Sequence, residues 1–189
     1  MSLILTLAPT LEPVLLAEAK AHLRIPHASD DAMISQLIVA ARRLVESRTG
    51  LRLIQQNWSM FLDRWPQAAV VDLPLFPVLS VNDILIYGED NNAAAIEPAH
   101  YFLDVAARPP RLVFRLDRSL SNPGRRANGI EIRLTAGFGA IAASVPPELK
   151  QAILLLVADW FSNRGDVETA SLPIAVLELL SPYRQLRLT

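Results

Sequence analysis

The hydrophobic residues of this 189-residue chain change their spacing twice, from a helical period to a two-residue period and back. Spacing of three to four residues covers about 12–50 and 146–182, whereas alternation covers about 51–140. This order predicts an α+β fold: a small bundle of about four helices drawn from both chain ends, with an inserted antiparallel β-sheet of about five strands. We expect one domain over 1–189 that ends in a short tail, 183–189.

Two helices are predicted in the first third of the chain. The first runs over about 14–23 and ends before Pro26, because the residue preceding a proline avoids helical geometry. The second covers about 30–49, with Ser29 as its N-cap and Gly50 as its C-terminal stop. Three charged side chains of this second helix are expected to face outward: Arg42, Arg43 and Glu46.

Alternating apolar and polar residues predict the strands of the sheet. The clearest alternation runs over 130–135, with apolar residues at even positions and polar residues at odd ones. Turn-rich stretches such as 88–92 and 122–124 separate the segments. The five predicted strands lie at Trp58–Leu62, Leu79–Tyr87, Tyr101–Val105, Leu112–Leu116 and Ile130–Thr135.

The helix predicted over 146–163 is apolar around nearly its whole circumference. Such a helix has to be buried on all sides, and a domain with about four helices covers only one of them. A neighbouring subunit is therefore expected to cover the other side, with Leu155 and Phe161 as candidate subunit-interface residues. A last short helix is predicted over Pro173–Ser181, and Pro182 ends it.

Basic charge is concentrated in one segment, although the net charge of the whole chain is only −1. Residues 108–133 carry seven arginines against two acidic side chains, Asp117 and Glu131. Two interpretations remain open: a solvated rim paired with acidic neighbours, or a surface that contacts phosphates or an acidic partner. The candidate contact residues are Arg115, Arg118, Arg125 and Arg126.

The absence of cysteine excludes disulfide scaffolds, thiol nucleophiles and cysteine-ligated zinc. The longest apolar run, Ala152–Ala158, is far shorter than the ~20 residues that span a bilayer. The first nine residues lack the basic start of a signal peptide. We expect a soluble protein that has no membrane partner and is compatible with a reducing cytoplasm.

Two patterns that suggest a ligand site are disfavoured by their context. Gly137–Ala142 matches GxGxxA, but a dinucleotide site needs a helix to begin at that turn, and the next helix begins later, after Pro146. Four residues have spacing that suits a metal: His22, His27, Asp30 and Asp31. These residues lie on both sides of a helix end. Asp30 and Asp31 are already expected to cap the start of the next helix. With no hydrolase, metalloprotease or P-loop motif either, we predict a non-enzymatic protein with no catalytic residue, metal or cofactor.

Blocks of sequence from end to end of the chain resemble one protein family. The opening block EPVLLAEAKAHLR is followed by a helix with the pattern DD, AAR, VE and TG. The second half carries TAGFG, VPP, ILLLVA and WFSNR, and the chain closes with LSPYR at 180–184. In this order and spacing the blocks resemble the head–tail connector (adaptor, head-completion) family of tailed bacteriophages, prophages and gene transfer agents.

This resemblance implies a structural subunit of the virion neck, made in the bacterial cytoplasm and assembled into a homo-oligomeric ring. Members of the family typically form dodecamers beneath the portal protein, where they extend the channel for packaged double-stranded DNA. They present a platform for a stopper or tail-terminator protein. The alternative functions are a small nucleic-acid-binding domain, which the net charge of −1 disfavours, and an enzymatic domain with an unrecognised site.

The C-terminal tail is the predicted portal-binding segment. It alternates polar and apolar residues after Pro182 and lacks an obvious partner in the chain, so we expect it to order only on docking. Tyr and Arg commonly anchor interfaces, and two leucines would lie on one face of an added strand. The candidate portal-binding residues are Tyr183, Arg184, Leu186, Arg187 and Leu188.

Overall fold

A computed structural model describes residues 1–115, 120–163 and 172–183. Within them the chain forms eight strands, at Ser2–Leu7 (β1), Gln56–Leu62 (β2), Val70–Asp72 (β3), Val78–Tyr87 (β4), Ala93–Ala95 (β5), Tyr101–Asp104 (β6), Arg111–Phe114 (β7) and Ile130–Ala136 (β8). The α-helices of the same residues are Leu16–Leu23 (α1), Asp31–Thr49 (α2), Pro147–Ser162 (α3) and Ile174–Leu180 (α4). The predicted α+β fold class is confirmed.

The chain divides into two compact units. The sheet unit comprises Met1–Pro9 and Gln55–Gly137. The helical unit comprises Thr10–Ile54 and the described part of Phe138–Thr189. The polypeptide therefore passes from one unit to the other three times, and each unit is built from segments that are distant in sequence.

The larger sheet of the sheet unit is antiparallel, with strand order β1-β2-β8-β4-β5. At its centre Ile132 of β8 pairs with Met60 of β2 on one side and with Ile84 of β4 on the other. All three side chains are fully buried, as the period of two requires for the apolar face of a sheet. The opposite face carries the polar residues of the same strands.

A second, three-stranded antiparallel sheet has the order β3-β7-β6. Its central strand contributes buried Leu112 and Phe114, and Trp65 packs edge-on against Phe114 with ring centroids 4.8 Å apart. The five predicted strands therefore do not share one sheet, because two of them coincide with β6 and β7 of this second sheet. Strands β1, β3 and β5 were absent from the prediction.

In the helical unit α2 and α3 each contact all three other helices. The predicted extent of the second helix is confirmed, and Gly50 ends it in the left-handed conformation with φ 75°. Its N-cap is Asp30 rather than Ser29, whose Oγ lies 2.6 Å from His27 Nδ1. The first helix begins at Leu16, and Leu15 is its N-cap. The Leu15 amide donates a hydrogen bond to the Glu18 carboxylate at 2.8 Å.

The prediction that Arg42 and Glu46 face solvent is wrong. Both are buried, and Arg42 donates from Nε to Glu12 Oε2 at 2.7 Å and from Nη1 to Glu46 Oε2 at 3.0 Å. The other Glu46 oxygen accepts from the Leu53 amide at 2.9 Å. Burial alone would lower the pKa of Arg42, but the two carboxylates outweigh it and raise that pKa. The partners Glu12 and Leu53 lie outside α2, so its own periodicity could not reveal this network.

Candidate interaction surfaces

Several arginines of the basic segment are held by neighbours in the sheet unit. The guanidinium of Arg108 lies over the Phe76 ring at 4.5 Å from its centroid. Arg111 Nε is 2.9 Å from Asp104 Oδ2. These contacts agree with a rim of paired and stacked cations, one of the two interpretations left open by the sequence.

The four candidate contact arginines differ in their surroundings. Arg125 stacks on Tyr87 at 4.0 Å and donates from Nε to Asn91 Oδ1 at 2.7 Å. Arg115 and Arg126 are exposed, and no side-chain partner is found for either among residues 1–115, 120–163 and 172–183. Arg118 lies outside the described residues. Arg115 and Arg126 are therefore the most available cations of the set.

A buried carboxylate, Glu131, organises the polar face of the larger sheet. It accepts hydrogen bonds from Ser59 Oγ at 2.7 Å, Tyr87 hydroxyl at 2.6 Å and Arg133 Nε at 2.9 Å. Burial alone would raise the pKa of Glu131, but hydrogen bonds from Arg133, Tyr87 and Ser59 outweigh it and lower that pKa below the ordinary 4.5. The hydrogen bond to Glu131 is also the main reason that the pKa of Tyr87 is raised. Because Arg125 stacks on Tyr87, this network also holds one of the candidate arginines.

A cavity of about 440 Å³ lies beside the β4–β5 hairpin, and Arg115 is among its lining residues. The described ionisable side chains of its lining are Tyr87, Glu97, His100 and Arg115. No group of three or more potential metal ligands occurs in the part of the chain that the structure describes. Of the four residues with metal-like spacing, Asp31 forms an ion pair with Lys20 instead. None of the described helices is long and apolar enough to cross a membrane.

Helix α3 has one buried face and one partly exposed apolar face. Its buried residues are Leu149, Ala152, Ile153, Leu156 and Val157. Leu155 and Phe161, the candidate subunit-interface residues, are both half-buried. Helix α4 adds exposed apolar side chains, since Ile174 is 77% exposed and Leu177 is 41% exposed. The subunit contact itself stays a prediction.

The first residue of the predicted tail belongs to the helical unit. Residues Ser181–Tyr183 form a 3₁₀ turn directly after α4, and the Tyr183 hydroxyl lies 3.3 Å from Glu148 Oε2 of α3. Burial and the nearby Glu148 carboxylate raise the pKa of Tyr183. Tyr183 is therefore not a loose residue, contrary to the expectation for the tail. The remaining candidates, Arg184, Leu186, Arg187 and Leu188, lie outside the described residues.

Strand β1 is a surface that the sequence interpretation missed. It is an edge strand whose apolar side chains remain accessible, with Ile4 52%, Leu5 43% and Leu7 55% exposed. The available signal is an uncharged apolar run before Pro9, which by itself resembles a signal peptide without a basic start. The pairing of β1 with β2, some fifty residues later, makes this run an edge strand, and the run alone does not contain that information.

Comparison with known proteins gives one consistent result. The model of the phage gp6-like head–tail connector protein family matches residues 14–93. A chain from the neck of an empty gene transfer agent (GTA) particle, computed with C6 symmetry, is 27% identical, and the alignment covers 100% of this chain and 98% of that one with a TM-score of 0.87. No protein of curated function matches the sequence.

Two further solved structures are similar over the same extent. One is a chain from the virion of a native GTA particle, and the other is from the neck of a native GTA particle computed with C12 symmetry. Each is 26% identical with a TM-score of 0.85, and each alignment covers 100% of this chain and 98% of the other. The family resemblance stated from the sequence is thereby confirmed, as is the expectation of a structural rather than an enzymatic protein. The chain therefore resembles the phage gp6-like head–tail connector family over residues 14–93 and chains of GTA particles over its full length.

Proposed function

We propose that this protein forms a ring of twelve subunits in the neck of a phage-like particle, beneath the portal protein. There it extends the channel for double-stranded DNA and offers a platform to a stopper or tail-terminator protein. The observation that carries the proposal is the full-length similarity to a chain from a GTA neck computed with C12 symmetry. A closed ring of identical chains needs no enzymatic site, only surfaces that fit the next copy and the proteins above and below.

The partly exposed face of α3 supports a subunit contact in the helical unit. Leu155 and Phe161 lie on it, and the exposed Ile174 and Leu177 of α4 enlarge the accessible apolar area. Apolar side chains left accessible in this way gain free energy when another protein surface removes them from water. In the proposed ring, the neighbouring subunit covers them.

The ring contact is tested by placing a charge on this face. We expect Leu155→Asp and Phe161→Asp to abolish ring formation with the cognate portal, because an unpaired carboxylate would be buried in the contact. Leu155→Met and Phe161→Leu, which keep both positions apolar, are the matched controls and should assemble normally. Light scattering after size exclusion measures assembly, and circular dichroism verifies folding. Normal rings from both interface variants would show that the subunit contact does not lie on this face of α3.

The basic segment is proposed to face DNA or an acidic partner surface. Arg115 and Arg126 are exposed cations, and Arg118 and Arg125 complete the candidate set. Particles carrying Arg115→Ala with Arg126→Ala should retain less packaged DNA, increasingly so as the salt concentration rises. Arg111→Ala, which removes a cation already paired with Asp104, is the control. Unchanged DNA content in the double variant would favour the solvated-rim interpretation.

The tail after the Tyr183 turn is proposed to bind the portal through Arg184, Leu186, Arg187 and Leu188. Deleting residues 184–189 leaves the contact between Tyr183 and Glu148 in place. The truncated protein should therefore unfold at nearly the same temperature but fail to attach to portal-bearing heads. Normal attachment, measured by co-sedimentation with those heads, would contradict this assignment.

A further inference from the structure

We propose that strand β1 of one subunit pairs with the β5 edge of the next subunit, so that the larger sheets of adjacent copies join edge to edge. The inference rests on the proposed ring and names a contact made by the sheet unit. It concerns different elements from the helical face that carries Leu155 and Phe161.

Both outer strands of the larger sheet have an open side. In the described residues β1 pairs only with β2, and β5 pairs only with β4. An outer strand presents unpaired backbone N–H and C=O groups on its free side, and these groups form hydrogen bonds with an added strand. One sheet thus offers two such sides, on strands of different sequence.

The β1 edge lacks the charged side chains that usually protect an edge strand from pairing. The first eleven residues of the chain contain no Lys, Arg, Asp or Glu. Ile4 and Leu5 are 52% and 43% exposed, although both lie in regular pairing with β2. A register shift between Leu5 and Leu7 limits the regular edge to Ser2–Leu5, which is long enough for a short strand pair.

The β5 edge is the matching surface. Its three residues, Ala93–Ala95, are all exposed, and their methyl groups allow another backbone to approach closely. Strand β5 itself carries no charge, so it offers no like-charge repulsion to the uncharged β1. The two edges are also comparable in length, with three residues against four.

Ring symmetry selects a second copy of the chain as the occupant. A cyclic ring joins two different surfaces on each subunit, whereas pairing of β1 with β1 would create a two-fold dimer. The two unlike edges of one sheet meet the requirement of a ring. A strand supplied by a portal or tail protein would occupy one edge and leave the other without a partner.

The strand registers specify which side chains would meet. Ile4 is opposite Ser59, and Ala95 is opposite Leu85, on the face of the sheet that carries Glu131. Leu5, opposite Trp58, and Ala94, opposite Ile86, point to the other face. A sheet that continues from one subunit to the next keeps its faces, so Ile4 can approach Ala93 or Ala95 but not Ala94.

The absence of cysteine in the chain makes disulfide cross-linking a clean test. Rings assembled with the portal are prepared from the double variants Ile4→Cys/Ala93→Cys and Ile4→Cys/Ala95→Cys, and mildly oxidised. We expect a ladder of covalent oligomers from at least one of them, because cross-strand Cβ atoms come within disulfide distance. Ile4→Cys/Ala94→Cys, with its thiols on opposite faces, is the matched control and should give no ladder.

Each alternative has its own outcome. Covalent dimers from Ile4→Cys alone would indicate β1–β1 pairing, and a cross-link from Ile4→Cys to a portal thiol would indicate a different occupant; either overturns the proposal. Rings that assemble but yield no ladder from either double variant overturn the strand pairing and leave the proposed function intact. A failure of the cysteine-free protein to form rings with the portal would overturn both.

Discussion

Both compact units bury a carboxylate, Glu46 in one and Glu131 in the other, but they differ in what surrounds it. The helical unit buries a complete ion network, in which Arg42 lies between Glu12 and Glu46, and leaves apolar side chains such as Leu155 and Phe161 partly exposed. In the sheet unit the Glu131 network includes the exposed Arg133, and further arginines of the basic segment, such as Arg111, are exposed. Contacts made by the helical unit should therefore depend little on salt, whereas contacts made by the basic rim should depend on it strongly.

Removing Arg42 should have the largest effect on stability, and it tests whether the buried network holds the helical unit together. Arg42→Met leaves two carboxylates, one of them buried, without their shared cation. We expect a loss of about 3–5 kcal/mol in the free energy of unfolding, measured by urea denaturation. Arg43→Ala, at the neighbouring exposed position, is the control and should change stability by less than about 0.5 kcal/mol.

The network of the sheet unit should give a smaller and pH-dependent effect. Glu131→Gln keeps the shape of the side chain but removes the charge that Ser59, Tyr87 and Arg133 bind. The expected loss is about 1.5–3 kcal/mol at neutral pH, the usual range for hydrogen bonds to a charged group. If Glu131→Gln lowered the free energy of unfolding as much as Arg42→Met, the two buried networks would contribute equally to stability.

The pH dependence follows from the lowered pKa of Glu131. A carboxyl group whose pKa is lowered by folding adds stability above its ordinary pKa of 4.5, and this stability is lost as the pH falls through the folded value. Unfolding curves measured between pH 7 and pH 3 should therefore converge for the wild type and Glu131→Gln. Parallel curves over that range would show that Glu131 does not carry this contribution.

The smallest effect is expected at an exposed ion pair of the helical unit. Lys150 Nζ of α3 lies 2.9 Å from Glu18 Oε1 of α1, and their side chains are 23% and 41% exposed. Solvent screens such a pair, so Lys150→Ala should cost less than about 1 kcal/mol, and added salt should reduce the cost further. A salt-independent cost would show that the aliphatic part of Lys150, rather than its charge, makes the contribution.

Local periodicity predicted the elements whose pattern is complete within their own residues. Helix α2 carries its apolar stripe and its terminating Gly50 in one segment, and its predicted extent agrees with the structure. Strand β8 alternates without interruption, and it pairs on both sides at the centre of its sheet. In both cases the information is local, so one sequence window is sufficient.

Features that depend on distant partners were missed or misassigned. The burial of Arg42 depends on Glu12, thirty residues earlier, and the stacking of Arg125 depends on Tyr87. The division of the strands into two sheets depends on which strands pair. The alternation of apolar and polar residues in β6 and β7 suits either sheet, so it does not assign them to one. Strand β1 lacks a distinctive pattern of its own and becomes a strand through β2.

The position of β8 also has a consequence for synthesis of the protein. This central strand is the last of the eight described strands to leave the ribosome, and both of its neighbours, β2 and β4, are made before it. With translation at about 5–20 residues per second, several seconds pass between the synthesis of β2 and that of its neighbour β8. During that interval β1 and β2 lack the central strand, and an isolated pair of strands is marginally stable by itself. A nascent chain that stops before Ile130 therefore cannot form the larger sheet, and we expect its unpaired strands to be accessible to chaperones and proteases.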